Sequence, residues 1–416
     1  MIGQMRNEPL NTVLRCGLAI AIAWLGLASR CHAQTWGDPV WSDEFNATVA
    51  GAPPDPARWV YDFGAGKWGN RELETYCRPG MEAPCQAEKP NAFQDGQGNL
   101  VIQALRTSSD PAPAGTWTSG RLKTMGIQDF QYGRLEACMR LPTGAGLWPA
   151  FWLLGTVGPG FSGEMDIMEN VPKSGQPGGL GPTVVETTIH GALAGGQRRL
   201  FSLGADFTLP NGGRVDDTTC HVYGEIWSPF MIQMYVDDWR SPYFIRTAND
   251  VPTDGRWVFN DPNRFYFLLN VAVGGGWPGP PDPTTPSPAT MLVDYVRVYK
   301  AAQVKGPDIT AAPLHVKAGT AGSATVALHA TRETGLVYLA CAGGTLNMPC
   351  TIDSGNPLNP SVVDFSGGEM QTAKITLTAP TGAKSAGLDL NGIRLAITAH
   401  TVSGDQSAVT IPVTIE

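Results

Sequence analysis

Short runs in which apolar and polar side chains alternate recur along most of this chain. Residues 99–104, 133–139, 231–236 and 291–299 show the pattern clearly. A period of two places apolar side chains on one face of an extended strand, and Gly, Pro and Asn between the runs mark turns. No stretch sustains the 3.6-residue period of a long amphipathic helix, and no fixed-period repeat is present. The pattern predicts an all-β chain of many short strands, a sandwich or barrel.

Composition divides that chain in two. Eleven tryptophans lie between Trp36 and Trp277, whereas beyond residue 300 the only Phe, Tyr or Trp residues are Phe365 and Tyr338. The expected organisation is a signal peptide over 1–33, a large β domain over 34–300, a linker over 301–313 and a smaller immunoglobulin-like β-sandwich over 314–416. The last part offers few aromatic platforms for sugar, so it reads as a spacer or stabiliser. Deleting 301–416 is therefore expected to leave activity on soluble substrate largely unchanged.

The leader assignment rests on Arg6 and Arg15 ahead of an apolar run from Gly17 to Leu27, with small residues up to Ala33. The run is too short for a convincing membrane span. Cleavage near Ala33 predicts a secreted or periplasmic protein with no stable membrane association. Residues 1–33 carry three arginines and one glutamate, so their removal deepens the formal charge from −8 to −10. Such a charge disfavours nucleic acid, anionic membrane and sulfated polysaccharide as partners, and leaves a neutral polymer compatible. Six cysteines remain. Cys77/Cys85 and Cys341/Cys350 suit local disulfides in an exported chain, with Cys138 and Cys220 a third candidate pair.

The stretch with the most chemistry is Gly163-Glu164-Met165-Asp166-Ile167-Met168-Glu169-Asn170. On a strand Glu164 and Asp166 share a face, but Glu169, five residues after Glu164, would point the other way. One extra residue, a β-bulge, returns it to the same face. A pair of glutamates so placed suits glycosidic-bond hydrolysis, one attacking the anomeric carbon and the other protonating the leaving oxygen. Asp166 between them can keep their proton affinities apart.

Aromatic residues surround this motif. Trp148 and Trp152 flank the preceding apolar strand, and indoles stack on the C–H faces of pyranose rings. The polar loop 68–76 offers Asn70 and Glu74 to substrate hydroxyls. His190 suits either a hydrogen bond to sugar or a satisfied core position, and Trp277 follows Gly274-Gly275-Gly276 on a loop that would display it.

The acidic octapeptide, the segment Trp148-Pro149-Ala150-Phe151-Trp152-Leu153-Leu154, the early Trp41-Ser42-Asp43-Glu44-Phe45 and the late Gly-Gly-Gly-Trp-Pro-Gly followed by 293–299 together resemble glycoside hydrolase family 16. Within it they are most similar to bacterial laminarinases, endo-β-1,3-glucanases. The resemblance covers about residues 36–300 and implies a jelly-roll β-sandwich with a concave groove. It implies Glu164 as nucleophile, Asp166 as its helper and Glu169 as acid/base, with Trp148, Trp152, Asn70, His190 and Trp277 along the groove. Family members often hold one structural calcium, and the matching positions are Glu44, Gly98 and Asp294, where hard oxygen donors would suit it. No organic cofactor is implied. Gly276 departs from the Asn common there, and the Cys77–Cys85 loop resembles an insertion.

The resulting expectation is a monomeric, retaining endo-hydrolase of neutral β-1,3-glucan, with mixed β-1,3-1,4 chains as further substrates. The rivals are an agarase-like galactan hydrolase and a non-catalytic β-glucan-binding protein on the same scaffold.

Overall fold

A computed structural model describes residues 36–110, 116–156, 162–171, 179–193, 200–260, 262–342, 348–381 and 394–416. The expected signal peptide lies outside the described residues. The chain is all-β, interrupted among the described residues only by four three-residue 3-10 turns. Among the described residues no helix is long and apolar enough to cross a membrane.

Two sheets form the large sandwich. The seven-stranded sheet is antiparallel throughout, in the order Leu200–Thr208, Val184–Ala192, Glu164–Glu169, Leu147–Gly155, Phe265–Val273, Arg121–Lys123 and Val60–Tyr61. Behind it lies a ten-stranded sheet that includes Gly133–Arg140, His221–Ser228, Met231–Val236 and Ala289–Tyr299. The alternation in Leu147–Gly155 decides which side chains face where. Leu147, Phe151 and Leu153 enter the core between the sheets, while Trp148, Ala150 and Trp152 face the opposite way into a cleft. Phe265–Val273 behaves alike. Phe265, Phe267, Leu269, Val271 and Val273 are core, and Asn270 and Ala272 line the cleft. Phe267 touches Trp41, Phe130 and Phe151 at ring separations of 4.9–6.0 Å, so truncating it to Ala would cost about 3–5 kcal/mol.

All three cysteine pairs are disulfides: Cys77–Cys85, Cys138–Cys220 and Cys341–Cys350. The 138–220 bridge closes 82 residues and ties the ends of two paired strands of the ten-stranded sheet.

The described strands from Asp308–Ala311 to Gln406–Ile415 form a four-stranded and a five-stranded sheet around a core of their own. The first of these strands, Asp308–Ala311, falls inside the 301–313 stretch. A third apolar cluster joins this part to the back of the large sandwich. It contains Ile226, Met231, Tyr235 and Ile245 on one side and Leu336, Tyr338, Val362 and Val402 on the other. Asn249 reinforces the seam, accepting from Tyr338 Oη at 2.9 Å and donating to Ser361 Oγ at 2.9 Å. The smaller sandwich is therefore packed against the larger one as well as tethered to it.

Candidate active site

The acidic strand carries the expected bulge. Against Leu147–Gly155, Asp166 pairs with Trp152 but Met168 pairs with Phe151, leaving Ile167 as the extra residue. The register against Val184–Ala192 shifts over the same span. Met165, Ile167 and Met168 all enter the core, and Glu164, Asp166 and Glu169 all line one cleft of about 660 Å³. Immediately upstream, Gly163 has φ +105°, and a Cβ there would meet Val258 at 2.7 Å. Only glycine turns the chain into this strand without strain.

The three acids sit in graded surroundings. Burial raises the pKa of Glu164, but His190 and Arg121 oppose that rise. Asp166 is pushed well above the ordinary carboxyl range by burial, then by repulsion from Glu164, Glu186 and Glu225. Glu169 is likewise pushed well up, chiefly by burial and then by Asp166, with partial relief from the Trp148 indole N–H, which donates to its Oε1 at 2.9 Å. Loss of the first proton is thus favoured at Glu164, where two cations or potential cations stand closest, while Glu169 retains its proton.

His190 connects the group. Its Nε2 lies 3.0 Å from Asp166 Oδ2 and 4.0 Å from Glu164 Oε1, and its Nδ1 lies 2.7 Å from Ser202 Oγ. The Thr187 hydroxyl holds the Asp166 backbone carbonyl at 2.6 Å.

The walls are aromatic. Trp277 meets Trp148 edge-to-face, with centroids 5.3 Å apart. Its loop starts at Gly274, where φ is +71° and a Cβ would strike Leu73 at 2.5 Å, and Gly276 N–H donates to Asn70 O at 2.9 Å. The loop bearing Asn70 holds Lys67, Trp68 and Arg71 at positive φ, a cost tolerated where a backbone shape is needed. Trp152 donates through Nε1 to Asn270 Oδ1 at 2.8 Å, and the Arg121 guanidinium lies 4.9 Å from its ring centroid and 5.0 Å from that of Trp68.

The cleft therefore brings together Glu164, Asp166, Glu169, Trp148, Trp152, Asn70, His190 and Trp277. Glu74 is a correction. It is 1% exposed and lies beneath the cleft, its Oε2 accepting Val273 N–H at 2.7 Å, while its neighbour Glu72 reaches the lining. Arg121, Asn270, Glu186 and Trp68 also line the cleft without having been singled out in the sequence. Asn270 is a polar residue in an otherwise apolar strand, a signal that could have found it.

Of the calcium positions, Glu44 does not fit as a side-chain ligand, because its carboxylate is held bidentately by Arg297 at 2.9 and 2.7 Å. Asp294 is the extra residue of a second bulge and is exposed, close to the sulfurs of the Cys138–Cys220 disulfide. Gly98 has no side chain to offer, so of these three residues Asp294 supplies the one side-chain carboxylate not held by an arginine.

Comparison with known proteins accords with this geometry. The sequence description of Glycosyl hydrolases family 16 matches residues 82–297. The β-glucanase of Rhodothermus marinus is 37% identical over 71% of this chain and 96% of its own length. The glucan endo-1,3-β-glucosidase A1 of Niallia circulans is 33% identical over 63% of this chain, and the match takes in 37% of that longer protein. The endo-β-1,3-glucanase structure from Pyrococcus furiosus matches with a TM-score of 0.52 at 37% identity, covering 65% of this chain and 96% of that one.

Proposed function

Because this chain belongs to glycosyl hydrolases family 16, we propose that its cleft cuts internal β-1,3-glucosidic bonds of neutral β-glucans with retention at the anomeric carbon. That it is a glycoside hydrolase of endo-β-1,3-glucanase type follows from the family and its relatives. The retaining step, mixed-linkage activity and the role of each residue are our reading.

One observation carries it: the bulge at Ile167 sets Glu164 and Glu169 on the cleft face in unlike environments. Glu164, as carboxylate, attacks the anomeric carbon while Glu169 gives its proton to the departing glycosidic oxygen. The bond to the leaving sugar breaks as a glycosyl ester forms on Glu164. Glu169, now ionised, takes a proton from water, whose oxygen displaces Glu164 and restores both groups. Asp166, with His190 at 3.0 Å, helps Glu164 change charge. Trp148, Trp152 and Trp277 supply stacking faces for glucosyl units.

Product analysis on laminarin, barley mixed-linkage glucan and agarose tests the reading. Short oligosaccharides from laminarin with the β-anomer formed first by proton NMR are expected, and barley products set the linkage range. Release from agarose alone, or first formation of the α-anomer, overturns it. Three disulfides support an exported setting, and Asp294 is the side chain we assign to a structural calcium.

A further inference from the structure

A second pair of carboxyl groups lies beneath the cleft. Glu72 is 4% exposed and Glu74 1% exposed. The segment bearing them crosses to the end of Phe265–Val273, with Glu72 bridged to Gly274 and Leu73 N–H donating to Val273 O at 2.8 Å. Glu72 receives two donors: Asn70 Nδ2 reaches Oε1 at 3.1 Å and Tyr76 Oη reaches Oε2 at 3.1 Å. Glu74 Oε2 accepts Val273 N–H at 2.7 Å, whereas its Oε1 is fully buried and meets no N–H or O–H donor. The group it faces is the Glu72 carboxyl. Two adjacent buried carboxylates cannot both ionise cheaply. Glu72 already accepts from both sides, which leaves Glu74 Oε1 as the position for a shared proton, donated to Glu72.

The chain of donors runs on to the walls. Tyr76 Oη accepts from Asn270 Nδ2 at 3.3 Å, and Asn270 Oδ1 accepts from the Trp152 indole at 2.8 Å. On the other side, Val273 directly precedes the glycine loop that carries Trp277, and Asn70 O holds that loop through Gly276. We propose that Glu72 and Glu74 share one proton and act as a positioning pair, fixing Trp152 and the Trp277 loop for a β-glucan chain. This rests on the sugar-binding reading of the cleft.

The pair gives the cleft a pH dependence separate from that of the acidic strand. Burial, then repulsion from Glu72, holds the Glu74 pKa well above the ordinary carboxyl range. The sign follows: the shared proton is present at low pH and is lost as pH rises through that raised value. Two buried anions then repel, and the link to the walls loosens. The other titratable groups facing the pair are Tyr76 and Arg121, with Asp62 and Lys123 behind Arg121 and exposed Lys67 and Arg71 in the preceding loop. Tyr76 is itself held neutral by burial and both glutamates, so it does not supply the transition.

The test uses the Glu164→Gln protein, expected to bind without turnover, and a β-1,3-linked glucose hexamer as probe. Affinity is expected to fall about tenfold toward alkaline pH, the scale of one lost charge-assisted hydrogen bond. Adding Glu74→Gln keeps a permanent N–H donor toward Glu72 and should flatten that dependence. Adding Glu74→Leu should weaken binding at every pH. In parallel, the Trp152 indole N–H resonance, assigned with Trp152→Phe, is followed against pH without sugar. It should titrate in the Glu164→Gln protein and stay fixed with Glu74→Gln. An unchanged alkaline loss of affinity and an unchanged indole titration in the Glu74→Gln variant would overturn the pair. Absence of hexamer binding with the indole titration intact would overturn the substrate reading and leave the pair standing.

Discussion

The indole N–H of Trp148 donates to Glu169 Oε1 at 2.9 Å, so the residue that walls the cleft also bonds the group proposed to protonate the leaving sugar. This contact favours the ionised form of Glu169 and partly offsets its burial. A Trp148→Phe substitution keeps an aromatic face and removes the donor. Glu169 acts as the acid when protonated, so activity falls as pH rises through its pKa. The alkaline limb of kcat/KM should move to higher pH in this variant, and a pH–rate profile on soluble glucan checks it.

His190 should govern the opposite limb. It stands 4.0 Å from Glu164 and opposes the rise in that residue's pKa. Glu164 must be ionised to attack, so activity falls as pH drops through its pKa. His190→Ala removes that opposition, raises that pKa and should move the acid limb of kcat/KM upward. An unmoved limb would show that His190 acts otherwise.

The two glutamates should respond differently to added azide. Glu164→Gln should lose turnover on every substrate. Glu169→Gln should lose about 10²–10⁴-fold on laminarin, the usual scale for a missing general acid or base. On an aryl glycoside with a good leaving group, azide should rescue the Glu169 variant and yield a β-glycosyl azide. An α-glycosyl azide from that variant would exchange the two roles.

Removal of residues 301–416 should cost stability, in keeping with a stabiliser role for this part. It would expose Ile226, Met231, Tyr235 and Ile245 on the back of the large sandwich. At about 1.5–3 kcal/mol for each fully buried apolar side chain, the loss is several kcal/mol. Calorimetry should find a lower Tm and a tendency to aggregate in the truncated protein. Tyr338→Ala in the full chain should lower Tm in the same direction, because it removes both packing and the bond to Asn249.

Much of the acidic strand was legible because its information is local. Strict alternation assigned Glu164 and Asp166 to one face, and the odd spacing to Glu169 demanded a bulge. Glu74 was misplaced because its position is not set locally. The bridge of Glu72 to Gly274 and the long-range bond from Val273 N–H decide that its carboxyl is covered. The pairing of the Glu44 carboxylate was hidden for a similar reason, since its partner Arg297 is 253 residues away. Asn270 left a local signal, one amide in an apolar strand, but the partners that give it meaning, Trp152 and Tyr76, are 118 and 194 residues away.

Ile167 also sets a twist. Deleting it would leave a regular strand in which all three acids still share the cleft face. Glu164 and Glu169 already pair with Leu154 and Ala150, four steps apart on the neighbouring strand, so the rise between them would change little. The added local twist of the bulge would relax instead. Side-chain direction and rise are therefore conserved under that deletion and relative rotation is not. The single inserted residue works as a pivot, setting the angle at which the two glutamates approach one sugar ring.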